Sequence, residues 1–240
     1  MNSEIVARLL AINREFYSQF ASAFSETRSS AQTRLDRIVA YIGEAGKVLD
    51  IGCGNGRLAE RLEREGKRLA YVGVDASPEL IAIASARKPH LRNVAAEFLI
   101  ADITKTNWSA AFSAASFDIA IALAVLHHVP SFDLRAQVLR EVHTVLKPNS
   151  RLVLSNWAFD RNERQRKRII AWQAVDLRAQ DVEEGDALLV WKRGGAGYRY
   201  CHLITKDEMA RLAIASGFEV VKQFYADAEL NLYSVLRKIT

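Results

Sequence analysis

The sequence predicts a doubly wound α/β domain: one seven-stranded, mostly parallel sheet with helices on both faces. Three observations predict it. Short apolar runs alternate with segments whose apolar residues recur every three or four positions. The early runs are largely apolar on both faces, as strands covered on two sides must be. A glycine-rich loop follows the first run and opens a helix.

Taken in order, Ile5, Leu9, Ile12, Phe16, Phe20 and Phe24 recur at helical spacing and predict a helix over 3–24. A second helix carries Leu35, Ile38, Val39 and Ile42 and stops near Gly43. Residues 47–51 read as a short buried strand. The helix after it carries Leu58 and Leu62, and 69–74 is a second strand. Ser77-Pro78-Glu79 has the form of a helix cap with proline in the first turn. Residues 95–101 and 117–124 are the third and fourth strands. A helix over 131–146 ends at Lys147-Pro148-Asn149, and 151–157 is the fifth strand. Beyond it the alternation breaks: 160–180 reads as helical and basic, and 186–203 as irregular strand. A helix over 205–216 then leads through Gly217 into closing strands at 218–225 and 230–237. The expected organisation is one domain over 1–240. It comprises an N-terminal helical cap (1–43), a ligand-binding core (44–157), an insertion or lid (158–203) and closing elements (204–240).

Composition narrows the class. Half of the 240 residues are hydrophobic and a quarter charged, which suits a packed globular core rather than a disordered chain. No apolar run is long enough to span a bilayer, and the N-terminus lacks the pattern of a secretory leader, so a cytoplasmic protein without a membrane partner is expected. Cys53 and Cys201 are too few for a disulfide framework and lack metal-ligand spacing; two reduced thiols and no metal are expected. The net charge of +5 is modest, but residues 161–168 hold five cations and one acid, and Lys192, Arg193 and Arg199 sit among Tyr198 and Tyr200. Such clusters suit phosphate contacts or a solvated face equally.

The chemistry-bearing signal begins at Asp50-Ile51-Gly52-Cys53-Gly54-Asn55-Gly56, directly after the first strand. Glycines let the backbone turn sharply and approach a ligand, and the following helix offers free N–H groups. Asp50 suits an ammonium group and would repel a pyrophosphate. The third glycine of a dinucleotide fingerprint would fall at position 57, which is arginine. Asp75 ends the second strand, where a carboxylate accepts ribose hydroxyls. Asp102 ends the third, where it suits an adenine amino group.

In this order, VLDIGCGNGRLAERL, YVGVDASPELIAIA, FLIADI, FDIAIALAVLHHV and VLKPNSRLVLSNW resemble the motif series of class I S-adenosylmethionine-dependent methyltransferases, over roughly residues 46–157. The resemblance implies a Rossmann-like methyltransferase fold and S-adenosylmethionine as cofactor, with S-adenosylhomocysteine as product. It implies that Asp50, Gly52, Gly54 and Asn55 line the methionine moiety. Asp75 and Ala76 would hold the ribose, Asp102 and Ile103 the adenine, and Leu123 would lie near the sulfonium. Phe16-Tyr17, Phe24-Ser25-Glu26-Thr27-Arg28, Leu126-His127-His128 and Gly197-Tyr198-Arg199-Tyr200-Cys201-His202-Leu203 are similar to segments of the enzymes that methylate carboxymethyl groups on wobble uridines of transfer RNA. By that likeness Tyr17, Arg28 and His127 join the cofactor set, and a small activating subunit is implied. The aromatic-proline segment usual in that family is replaced here by Ser29-Ser30-Ala31-Gln32.

A carboxylate acceptor is ionised at neutral pH and needs a cation or donor rather than a base. Arg199, Arg28 and His128 are the candidates for that role, since arginine grips carboxylates through paired hydrogen bonds. Tyr17, Trp157 and Tyr200 are candidates to stack on a base. Three readings follow: a transfer-RNA methyltransferase, a small-molecule O- or N-methyltransferase, and a cofactor-binding protein without turnover.

Overall fold

The computed structural model describes residues 1–26, 32–192 and 195–239. Helix α1 (Ser3–Glu26) is kinked at Phe20, whose φ and ψ of −113° and 16° leave the helical region. Helix α2 spans Gln32–Val39. The alternating core follows: β1 (Ala45–Ile51), α3 (Arg57–Arg64), β2 (Arg68–Asp75), α4 (Pro78–Ser85), β3 (Val94–Ile100), β4 (Phe117–Leu123), α5 (Phe132–Val145) and β5 (Leu146–Trp157). The Ser77 hydroxyl caps α4 by accepting from the Leu80 N–H at 3.2 Å, as its sequence implies.

Seven strands form one sheet in the order β3-β2-β1-β4-β5-β10-β9, closed by β9 (Phe218–Ala226) and β10 (Asn231–Lys238). Strand β10 runs antiparallel to both its neighbours, and the five early strands are parallel. The order reverses between β1 and β4, which opens a crevice at the carboxyl ends of the strands. Helix α5 and helix α7 (Lys206–Ala215) cover one face of the sheet through Val138, Leu139, Val142, Met209 and Leu212. Helices α2, α3 and α4 cover the other through Ile38, Leu58, Leu62 and Ile81.

The insertion departs from its sequence reading. Residues 160–180 hold a single α turn, α6 (Glu163–Arg166), the two-residue strand β6 (Ile169–Ile170) and short 3-10 turns, not a basic helix. The charges there lack an apolar stripe, and a helix with no face to bury gains little from packing. Residues 186–203 are more regular than expected. Strands β7 (Asp186–Trp191) and β8 (Gly197–His202) pair antiparallel in one uninterrupted register and make a three-stranded sheet with β6. One face of that sheet packs Leu188 and Tyr200 on Leu9 and Trp172; the other packs Ala187, Leu189 and Cys201 on Trp157 and Phe159.

Candidate functional site

A cavity of about 580 Å³ occupies the crevice at the carboxyl edge of the main sheet. It gathers Tyr17, Asp50, Gly52, Gly54, Asn55, Asp75, Ala76, Asp102, Ile103, Leu123 and His128, eleven residues drawn from five separate segments. Helix α1 roofs it with Asn13, Arg14 and Ser18 beside Tyr17, a helix face absent from the sequence reading. The three-and-four spacing of these residues was the available signal, masked by the stronger apolar stripe beside them.

The loop after β1 is shaped by its glycines. Gly52 has φ +64°, and a Cβ there would lie 2.4 Å from Val125 Cγ2. Gly54 has φ +54°, yet a Cβ there meets nothing within 4 Å, so this stretch of backbone fronts open cavity. The Gly54 N–H donates to Asp75 Oδ2 at 2.9 Å, and the Ser77 N–H donates to Asp75 Oδ1 at 2.9 Å. Each carboxylate oxygen keeps a lone pair for a vicinal diol. Burial raises the Asp75 carboxyl, against the pull of these backbone donors. Asp102 Oδ1 accepts from the Thr104 N–H and hydroxyl at 3.0 and 2.6 Å, while Oδ2 lies 3.7 Å from Arg14.

Asp50 accepts a hydrogen bond from the buried Tyr71 hydroxyl. Burial, followed by the neighbouring Asp75 charge, pushes its carboxyl up to about 7, although the Tyr71 bond acts in the opposite sense. A cation in the cavity would favour the ionised form, so binding of an ammonium-bearing ligand is coupled to proton loss. Affinity for such a ligand is expected to be full above about pH 8 and to fall towards tenfold per pH unit below about pH 6. Calorimetric titration across that range checks this, and an Asp50→Asn variant should lose the slope.

Two sequence candidates sit elsewhere. His127, expected in the cofactor set, is fully buried, stacks on Trp157 at 5.1 Å and accepts from the Trp157 N–H, and it lies off the cavity lining. Arg199 is 1% exposed and also absent from the lining. Its guanidinium is boxed by the rings of Phe16, Trp157 and Trp191 at 4.8, 4.7 and 5.1 Å, so it does not grip a ligand in the cavity directly. Arg28 lies outside the described residues, as does Arg193. His128 does border the cavity: its Nε2 meets the Tyr17 hydroxyl at 3.0 Å and its Nδ1 the Tyr200 carbonyl oxygen at 2.9 Å. Trp157 and Tyr200 are buried among core contacts rather than offered for stacking. Both cysteines are buried free thiols, and burial pushes Cys201 up to about 12, beyond use as a nucleophile near neutrality.

Two buried carboxylates, Asp75 and Asp50, and a glycine loop fronting open space thus converge on one cavity. Residues 24–223 match the family described as methyltransferase domain. The chain belongs to that family. It is a class I S-adenosylmethionine-dependent methyltransferase, and the cavity's donor set fits the ammonium, diol and adenine of that cofactor. The methyltransferase is 27% identical over 172 residues to the mouse tRNA (carboxymethyluridine(34)-5-O)-methyltransferase ALKBH8; the match covers 72% of this chain and 23% of the mouse protein. The chain therefore spans about a quarter of that relative's length. It is 32% identical over 123 residues to the ubiquinone biosynthesis O-methyltransferase of Xanthomonas axonopodis pv. citri, covering 51% of this chain and 48% of that one. The crystal structure of a SAM-dependent methyltransferase from Methanosarcina mazei superimposes with a TM-score of 0.64 at 28% identity, over 85% of this chain and 97% of that chain. Among the described residues, no helix is long and apolar enough to cross a membrane.

Proposed function

We propose that this methyltransferase acts on an anionic acceptor, and that the acceptor is a carboxymethyl-type modified uridine at the wobble position of transfer RNA. The observation that carries the anionic part is Arg199. Its Nε and Nη1 are buried without a hydrogen-bond partner. Arginine stays protonated, so its charge is neutralised only in part by three ring faces worth about 2 kcal/mol each. Arg199 shares a face of β8 with Cys201, whose Sγ lies 3.6 Å from His128 Nδ1. On this reading the Arg199 charge lies outside the cavity lining, behind Trp157 and His128, and favours a carboxylate at that end through space. Arg168 adds to it: burial lowers its guanidinium first, and the Arg164 and Arg199 charges lower it further.

In this reading Asp50 takes the cofactor's ammonium, with Gly52, Gly54 and Asn55 along the methionine portion. Asp75 and Ala76 hold the ribose, Asp102 and Ile103 the adenine, and Leu123 borders the sulfur. Bound S-adenosylmethionine supplies an electrophilic methyl group for in-line displacement. The protein's part is alignment and exclusion of water; a carboxylate nucleophile requires no base. Tyr17 and His128 face the acceptor, and the Arg199 charge acts through space.

Incubating the protein and labelled S-adenosylmethionine with total transfer RNA, with and without a small activating subunit of the kind the resemblance implies, should label the RNA. Unlabelled RNA under saturating cofactor in both arms would refute the acceptor. A small-molecule acceptor is favoured by one observation: Arg161 pairs with Glu229 and stacks on Tyr225, and Lys167 pairs with Glu163, so part of the basic cluster is engaged internally. Neutralising exposed Arg164 and Arg166 together should cripple turnover on RNA and leave turnover on a metabolite intact.

A further inference from the structure

Strand β8 is the edge of the small sheet, so the outward N–H and C=O of Tyr200 have no neighbouring strand to pair with. A single side chain on α1 supplies both partners. Asn13, 6% exposed, accepts the Tyr200 N–H on Oδ1 at 2.9 Å and donates from Nδ2 to the Tyr200 carbonyl at 3.1 Å. The same Nδ2 reaches the His128 carbonyl at 3.2 Å. Only one orientation of the carboxamide works, because the oxygen must face an N–H and the nitrogen two carbonyls.

The Tyr200 carbonyl is also where His128 Nδ1 lands. A carbonyl only accepts, so Nδ1 carries the proton and Nε2 of the neutral ring presents its lone pair to the Tyr17 hydroxyl. Tyr17 stands one helical turn beyond Asn13 on the same face of α1. One carboxamide thus fixes the acceptor atom of His128, the turn that carries His128, and the helix that carries its other partner.

We infer that Asn13 is a positioning residue for methyl transfer, which holds His128 in a single tautomer and orientation at the acceptor end of the cavity and, through it, sets the Tyr17 hydroxyl.

The test uses the full-length protein labelled with nitrogen-15 histidine. In the native protein His128 should show one tautomer, protonated at Nδ1. Asn13→Ala removes all three bonds. The isosteric Asn13→Asp keeps the acceptor for the Tyr200 N–H but turns an oxygen towards two carbonyls. In both, a second His128 tautomer should appear, and any loss of S-adenosylhomocysteine affinity should be smaller than the loss of turnover. Turnover on the acceptor should fall about 10- to 100-fold through kcat. If Asn13→Ala does not fold, Asn13→Asp decides. A His128 spectrum unchanged in the folded variants overturns the inference. So does a loss of turnover in a folded variant whose His128 tautomer stays native. The spectrum needs no acceptor, so failure of the RNA assignment would leave this result standing.

Discussion

Replacing Arg135 with methionine should cost about 3–5 kcal/mol of stability and lower the melting temperature by about 10 °C. Arg135 is 1% exposed at the end of the first turn of α5, and its Nη2 lies 2.9 Å from both Glu183 and Glu208. Its Nη1 donates to the Val129 carbonyl at 3.0 Å. Around it, His202 bridges Asp186 at 2.7 Å and Glu208 at 2.8 Å, and the Tyr200 hydroxyl donates to Asp186. This network ties the insertion sheet to α5 and α7. Removing the one guanidinium leaves buried Glu208 and half-buried Glu183 without their shared cation, which is the costly half of a buried ion pair. A second substitution, Glu208→Gln, should recover part of the loss, and thermal denaturation of the two variants reads this directly. Equal melting temperatures for Arg135→Met and the native protein would show that the network is solvated and contributes little.

The second large effect concerns the loop after β1. Gly54→Ala should weaken S-adenosylhomocysteine about 100-fold, or about 3 kcal/mol, with little change in the fold. A left-handed alanine costs about 1–2 kcal/mol, and the new methyl meets no protein atom within 4 Å. Any further loss of affinity therefore reports a ligand lying against that backbone. Gly52→Ala contrasts with it: the methyl would lie 2.4 Å from Val125, so both stability and binding should suffer. Side-by-side melting curves and calorimetric titrations separate the two cases. A Gly54→Ala protein that binds as tightly as the native one would place the ligand elsewhere.

Much of the fold was legible because its determinants are local. The parallel core follows from runs such as Phe117–Leu123, buried on both faces, and from the Ser77-Pro78 start of α4. The cavity residues after β1, β2 and β3 were legible for the same reason: topology brings those strand ends together whatever the insertion does. The insertion was not. Residues 160–180 combine charge with no consistent apolar period, and tertiary contacts decided their form. Arg199 showed the general difficulty from the other side. A cation flanked by tyrosines in sequence looks like a surface contact, but Phe16 and Trp157 come from distant segments to enclose it. The buried Arg135 network was visible only as scattered charges, since nothing in a linear chain pairs residue 135 with 183 and 208. Asn13 was likewise hidden, as an ordinary polar residue on an amphipathic helix.

The central physical claim is that the acidic strand ends and the glycine loop hold one sulfonium nucleoside. Titration of the native protein and an Asp75→Ala variant with S-adenosyl-L-homocysteine at about pH 8, where Asp50 is ionised, tests it most directly. Saturable one-to-one binding that is lost or strongly weakened in the variant, with no response to a nicotinamide dinucleotide, is the result expected. No heat with the homocysteine compound, or equal binding by both proteins, would contradict the account.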